Sequence, residues 1–506
     1  MGTSQGLTGP DLKQGVREEA VREGEPLLGH IDGAPALLVR HHGRVHAVGA
    51  KCTHYGGPLA EGIVDADAIH CPWHHACFDL ETGRAHGPAL DAIPCWDVRL
   101  ENGTLRAASA RQVDVAEVHE PKSVVIVGGG PAGVACAEAL RAEGHRGAIT
   151  MVTAEGSDPV DRPNLSKDYL AGDAPEEWIF LRTSSALASH GISLVGEAAV
   201  AIDRAARVVR TAGGRELAWD ALLLATGAEP IHLPIDGAAL PHVRVLRTLA
   251  DSRAIIAAAS PAHPCVVIGA SFIGLEVAAS LRARHVAVTV VAPEAVPLAR
   301  VLGKEIGGLV RGVHEHNGVA FRLGRKPAHI ERDRVVLDDG SSLPAALVVM
   351  GVGVTPRTGL AAAAGLEVER GVVVDGAFQA APGVWAAGDL ARYPWRGELV
   401  RIEHFQVAVR HGQAVARAML GRPAAPDVPF FWSRHHDLTI GYVGHAERFE
   451  RAEVHGNLDA REAHVVYHDN GRIRAVATIG RDRLGLEVEA AMARDDDAAV
   501  HALVTR

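Results

Sequence analysis

Val124-Val125-Ile126-Val127-Gly128-Gly129-Gly130-Pro131-Ala132-Gly133 decides the fold. The first four residues read as an apolar strand, and Pro131 opens an Ala-rich helix directly after the glycines. Between strand and helix lies Gly-x-Gly-x-x-Gly, formed by Gly128, Gly130 and Gly133 with Pro131 and Ala132 inside it. In that setting the motif has a mechanism. Residues without side chains let the backbone approach a pyrophosphate at a helix N-terminus, and an acid at the end of the next strand, here Glu155, accepts a ribose hydroxyl bond.

Working outward, a second copy, Gly269-Ala270-Ser271-Phe272-Ile273-Gly274, follows the apolar strand Val266-Val267-Ile268 and opens another helix. Strands alternating with helices from Lys122 onward mark doubly wound α/β domains. Upstream the pattern is all β. Ala36–Arg40 and Val45–Val48 flank a turn at His42-Gly43, and Asn102-Gly103 joins Val98–Leu100 to Thr104–Arg106 as a hairpin. From about Pro426 the chain returns to β, with a hairpin at Asn470-Gly471 and a closing helix expected from about Leu486. The expected division is 1–108, a small β domain; 109–121, a linker; 122–243, the first dinucleotide domain; 244–365, an inserted second one; 366–425, the remainder of the first; and 426–506, a C-terminal α+β domain.

The 506 residues carry 51 Lys plus Arg against 61 Asp plus Glu, a formal charge of −10 with no basic cluster, which argues against nucleic acid as a partner. Met1–Gly24 lacks the apolar core of a secretory signal, and no stretch approaches the length of an apolar membrane span, so a cytoplasmic protein is expected. Six cysteines are too few for a disulfide scaffold.

Two of the six stand out. Cys52-Thr53-His54 is followed after sixteen residues by Cys71-Pro72-Trp73-His74. Two Cys and two His in two loops suit either zinc or a Rieske [2Fe-2S] centre. Zinc loops usually pair like with like, whereas each loop here supplies one thiolate and one imidazole, so two irons are favoured. Cys77, Cys95, Cys136 and Cys265 are dispersed and read as small buried hydrophobes. His435-His436-Asp437 invites a metal reading, but adjacent side chains on a loop do not converge easily, and the segment is expected at the surface.

Cys52 to Leu59, Cys71 to His74, Phe78-Asp79 and Thr82-Gly83 resemble the Rieske domain of ferredoxin-type proteins, which lack the extra loop cysteines of the high-potential class; this chain has Gly57 and Trp73 there. The resemblance implies cluster ligands Cys52, His54, Cys71 and His74. It also exposes a departure, because the residue after the second histidine is usually Gly and here is His75.

The two glycine motifs, with Ala225-Thr226-Gly227, Ala386-Ala387-Gly388-Asp389 and Asp161-Arg162-Pro163-Asn164-Leu165-Ser166-Lys167, resemble the two-dinucleotide flavoproteins. From about residue 16 the whole chain resembles apoptosis-inducing-factor-like oxidoreductases with a fused Rieske domain. That resemblance implies FAD at the first motif and NAD(P)H at Gly269, Ser271 and Gly274. It implies Asp389 on the ribityl chain, Arg162 and Lys167 toward the pyrophosphate and the isoalloxazine edge, and Glu276 at the nicotinamide, paired with Lys167 in a catalytic role. Phe405 stands where relatives often have a flavin-flanking Trp. Past the second nucleotide strand come Ala292 and Glu294, with Arg300 the one nearby base, which favours NADH over NADPH. No cysteine lies in Val160–Leu170, so a thiol acceptor is not expected.

The expected function is electron transfer from NADH through FAD to the Rieske cluster, then to a ferredoxin, a cytochrome P450, an oxygenase component or a small acceptor. The alternative is a redox sensor whose NADH-dependent association, including homodimer formation, is the output.

Overall fold

The computed structural model describes residues 8–423 and 428–506. The expected boundary at 425/426 lies outside the described residues.

The N-terminal unit is built from two antiparallel sheets. Six strands run in the order Val16–Arg17, Thr104–Ala110, Cys95–Glu101, Arg44–Gly49, Ala34–His41 and Leu27–Ile31. The three hairpin turns of this sheet, Asp32-Gly33 and the expected His42-Gly43 and Asn102-Gly103, each hold two consecutive residues at positive φ, the twist that matches flanking strands. A smaller sheet of four short strands carries Ala68–His70 and Cys77–Asp79, and the second Cys/His loop connects those two.

The first α/β unit has a sheet ordered Ile192–Val195, Ala148–Val152, Ser123–Val127, Ala221–Leu224, Val384–Ala386 and Gln379–Ala381, parallel except for its last pairing. Leu222–Leu224 therefore pair with Val384–Ala386 across more than 150 intervening residues. The intervening chain builds its own parallel sheet, Val243–Val245, Leu347–Met350, Cys265–Ile268, Val288–Ala292 and Val319–Leu323. The central strands of both sheets, Val124–Val127 and Cys265–Ile268, are buried along their whole length, which explains their unbroken apolar sequence.

The C-terminal unit is a five-stranded antiparallel sheet running from Phe430–His435 to Arg472–Ile479. The closing helix begins at Asp482, a turn before the expected Leu486, and runs to Ala493; a second helix, Asp497–Val504, follows it. His435 corrects the expectation of a surface segment. It ends a strand, is fully buried and hydrogen-bonds His314, while Asp437 remains exposed. Strand alternation from Phe431 onward turns His435 inward with Ser433, a pattern that reading the three residues as a loop obscured.

One helix organises the whole. Phe405–Met419 packs on Pro131–Ala142 so closely that a Cβ on Gly412 would lie 2.2 Å from the Ala132 carbonyl oxygen. Its first residues reach the N-terminal unit, bringing the Cys/His loops against the α/β core.

Candidate functional site

The two Cys/His loops are built alike. In the first, the Gly56 amide donates to the Cys52 carbonyl and the Cys52 amide donates to the Gly57 carbonyl, both at 2.9 Å. In the second, His75 donates to Cys71 at 3.1 Å and Cys71 to Ala76 at 2.7 Å. Each turn presents its cysteine and histidine on one side. The loops press together at Gly57, where a Cβ would stand 2.7 Å from Cys71 Sγ.

Cys52 and Cys71 are buried, free thiols, and the His54 and His74 rings lie 5.1 Å apart. Both ring nitrogens of His54 are buried without a hydrogen-bond partner among the described residues. An orphaned imidazole is costly unless a ligand completes it. Burial holds His54 neutral, with its pKa lowered to about 4, as a metal-binding imidazole must be. The hydrogen bond with Cys71 pulls the Cys52 thiol down to about 7, so one thiolate forms readily in the pair. Two thiols, two neutral imidazoles and unpaired buried nitrogens fit a [2Fe-2S] group.

The dinucleotide cleft of the first α/β unit encloses about 520 Å³. Gly128, Gly130, Pro131 and Ala132 line it with Glu155, Arg162, Ala225, Thr226, Gly227, Gly388 and Asp389. Gly128 has φ +128°, and a Cβ there would meet the Ala225 carbonyl oxygen at 2.1 Å. Gly133 sits beneath the turn, where a Cβ would be 2.0 Å from the Gly128 oxygen. Arg162 pairs with Glu155 and donates to the Arg247 carbonyl at 2.6 Å, and Arg247 pairs with Asp389 at 2.7 Å. Arg247 is thus a second cation in the cleft that no sequence motif marked.

At the second motif, Ser271 caps the helix Phe272–Ala283, accepting from the Gly274 amide at 3.2 Å and donating to the Gly351 carbonyl at 2.7 Å. Gly269 takes φ +106°. Glu294 and Arg300 lie exposed beyond the strand Val288–Ala292.

The expected pair Lys167 and Glu276 meets at 2.9 Å, with both side chains buried. Ser166 and Ser433 each donate to the Glu276 carboxylate at 2.7 Å. The Lys167 ammonium stands 4.7 Å from the centre of the Trp432 ring, within cation–π reach. Trp432 also packs against His74, with ring centroids 4.5 Å apart. Trp432 therefore bridges the buried ion pair and His74, one of the expected cluster ligands. Phe405 does not line the cleft; its ring lies near-parallel to that of His54 at 6.5 Å.

Further contacts pin the loops. Tyr55 donates to the buried Asp161 carboxylate and accepts from Asn164 at 2.7 Å. Gln406 donates to the His74 carbonyl at 2.7 Å. His75 stacks on Phe430 at 3.6 Å and bonds Glu489, which also pairs with Arg410 at 2.7 Å. His75 has φ +54°, where its counterpart Gly56 has +74°, so the sequence departure is a side chain placed at a left-handed position. Sequence reading missed Trp432, Arg247, Tyr55 and Glu489. Of these only Tyr55 falls within a motif, Cys52 to Leu59, where nothing in the sequence distinguishes it from its neighbours.

Among the described residues no disulfide forms, and no helix is long and apolar enough to cross a membrane. The sequence profile of the pyridine nucleotide-disulphide oxidoreductase family matches residues 122–412, and that of the Rieske [2Fe-2S] domain matches residues 14–97. Apoptosis-inducing factor 3 from Mus musculus is 33% identical over 486 residues, spanning 90% of this chain and 80% of that one. Putidaredoxin reductase CamA from Pseudomonas putida is 37% identical over 374 residues, 71% of this chain and 89% of that one. The solved covalent putidaredoxin reductase–putidaredoxin complex matches with a TM-score of 0.70 at 34% identity, covering 76% of this chain and 99% of the other.

Proposed function

The chain belongs to the pyridine nucleotide-disulphide oxidoreductase family and carries a Rieske [2Fe-2S] domain, and from that premise we propose that electrons pass from NADH through FAD to the Rieske centre and on to an acceptor protein or small acceptor. The protein is an FAD-dependent NAD(P)H oxidoreductase with a fused Rieske domain. When bound, FAD takes up hydride and releases electrons singly, and the [2Fe-2S] centre carries them one at a time.

The chain's own residues divide the work. Gly128, Gly130 and Gly133 bring backbone amides to the flavin pyrophosphate, with Pro131 and Ala132 shaping the turn and Glu155 on the ribose. Arg162 and Arg247 offset phosphate charge, Asp389 holds the ribityl chain, and Ala225, Thr226, Gly227 and Gly388 let the cofactor lie close to the sheet. Gly269, Ser271 and Gly274 receive NADH, with Glu294 toward its ribose. Lys167 and Glu276 orient flavin and nicotinamide. Cys52, His54, Cys71 and His74 hold the irons, and Phe405 packs beside them. The working units are 1–108, 122–243 with 366–425, the inserted 244–365, and 426–506, joined by the linker 109–121.

Trp432 carries this reading. Held between Lys167 and His74, it leaves one aromatic side chain between the flavin edge and a cluster ligand. The acceptor meets the outer rim of the second loop, where Trp73 is 46% exposed. Anaerobic titration with NADH should bleach the flavin and then raise the paramagnetic signal of a reduced Rieske centre. A bleached flavin beside an intact, silent cluster would sink the relay.

A further inference from the structure

Four parts of the chain converge behind Glu276. Its Oε2 accepts from Lys167 at 2.9 Å and from Ser166 at 2.7 Å, and its Oε1 accepts from Ser433 at 2.7 Å. Ser433 Oγ lies 3.2 Å from His435 Nε2, and His435 Nδ1 lies 3.2 Å from His314 Nε2. His314 belongs to the helix Ala299–His316, and its Nδ1 is buried without a partner among the described residues. The ring of His436 lies 5.0 Å from that of His314, with its own Nε2 buried and unpartnered, and it sits half-buried on the surface turn beside exposed Asp437. Two unpaired nitrogens on adjacent rings are the setting in which one water completes both.

The chemistry of the partners orients this chain. A carboxylate only accepts, so Ser433 spends its single hydrogen on Glu276 and must accept from His435. His435 is then protonated on Nε2 and accepts at Nδ1. That requires His314 to be protonated on Nε2 as well, leaving its buried Nδ1 with a free lone pair. Every donor points toward Glu276. Burial also keeps both rings neutral, with His435 lowered to about 3 and His314 to about 2, so each has one donor and one acceptor. The charges facing the chain are Lys167 and Glu276 at its inner end, and Arg282 and Asp437 around His436 at its outer end.

We propose that His314, His435 and Ser433 form a proton relay that carries a solvent proton to Glu276 when hydride enters the flavin pocket and returns it when the electrons leave. Hydride brings one unit of negative charge. One proton moves inward, the Glu276 carboxylate becomes the acid, and each hydrogen bond in the chain reverses. As two electrons depart singly, the stored proton and the hydride's own proton return to solvent. The turnover balances as NADH giving NAD⁺, two electrons and one proton. His435 and His314 are positioning residues here, acting through Glu276, and the relay rests on the reading that Lys167 and Glu276 face the flavin.

The FAD-loaded protein, mixed anaerobically with one equivalent of NADH in weak buffer with a pH dye, should take up close to one proton per flavin bleached. His435→Gln keeps a donor and an acceptor but cannot pass a proton, and should slow that uptake by about 100-fold. His314→Gln, at the far end, should do the same if the first variant folds poorly. Nitrogen-15 spectra of the NADH-free protein, assigned by the signals each variant loses, should show both imidazoles neutral with hydrogen on Nε2. Hydrogen on Nδ1, an imidazolium at either site, or uptake at the normal rate in both variants overturns the relay. Bleaching without uptake also defeats the relay alone, whereas absence of bleaching defeats the underlying flavin reading.

Discussion

In the first ligand loop Gly56 closes the turn and Tyr55 reaches the flavin-side loop at Asp161 and Asn164. In the second, His75 closes the same turn and reaches the helix Asp482–Ala493 at Glu489. The backbones match, but the anchors differ in kind. The first is a neutral phenol on a carboxylate, one residue before the position that closes the turn. The second places an imidazole at the strained position itself, where a left-handed non-glycine costs about 1–2 kcal/mol. Its stack on Phe430 and its bond to a buried carboxylate offset that cost. The second loop is therefore fixed in orientation by the part of the chain farthest from it in sequence.

The comparison breaks most sharply at the glycines of the first loop. Gly57→Ala drives a methyl into Cys71 Sγ, and iron content and visible cluster absorbance should be mostly lost. Gly56→Ala meets nothing within 4 Å and should keep its cluster while losing about 1 kcal/mol from backbone strain. Equal iron in the two variants would mean that the loops can slide apart.

The anchors come next. Glu489→Ala removes the partner of His75 and Arg410 and should cost about 3–5 kcal/mol in denaturant unfolding, as breaking a buried ion pair does. Tyr55→Phe leaves the Asp161 carboxylate short of one donor and should cost about 1–3 kcal/mol. A larger loss from Tyr55→Phe would reverse the ranking of the two anchors.

The comparison also sharpens in acid. Burial pushes the Glu489 carboxyl up, but Arg410 and His75 more than compensate and bring it to about 2 from an ordinary 4.5. Because the folded value is depressed, the stabilisation is complete above pH 4.5 and disappears as pH falls toward 2, about 3 kcal/mol in all. Wild-type protein should lose this across that window, and Glu489→Gln should not. Identical slopes in an acid titration of stability would remove the anchor's role.

The architecture was legible because its signals are local. Strand, glycine turn and helix are contiguous at Gly128 and Gly269, and the ligand loops advertise themselves by composition. Lys167 and Glu276 could be paired by resemblance, and they stand 2.9 Å apart. What stayed hidden depends on distant partners. Trp432 bridges His74 and Lys167 across hundreds of residues, Arg247 belongs to no motif, and Glu489 is one carboxylate among many on a helix. His435 was misjudged because Asp437 is exposed and His436 half-exposed, and only the strand's alternation sends the residue before them into the core.

The roof over the ligand loops also sets an order of events in time. Phe430, Trp432 and Glu489, which close over His74 and His75, are synthesised some 350 residues or more after them. At about 5–20 residues per second, roughly 20 to 80 seconds pass in which the N-terminal unit has emerged and His74 and His75 still lack that cover. On the proposed ligand set, iron and sulfide delivered in that interval meet a site whose histidine edge is open, and a roofed one afterwards.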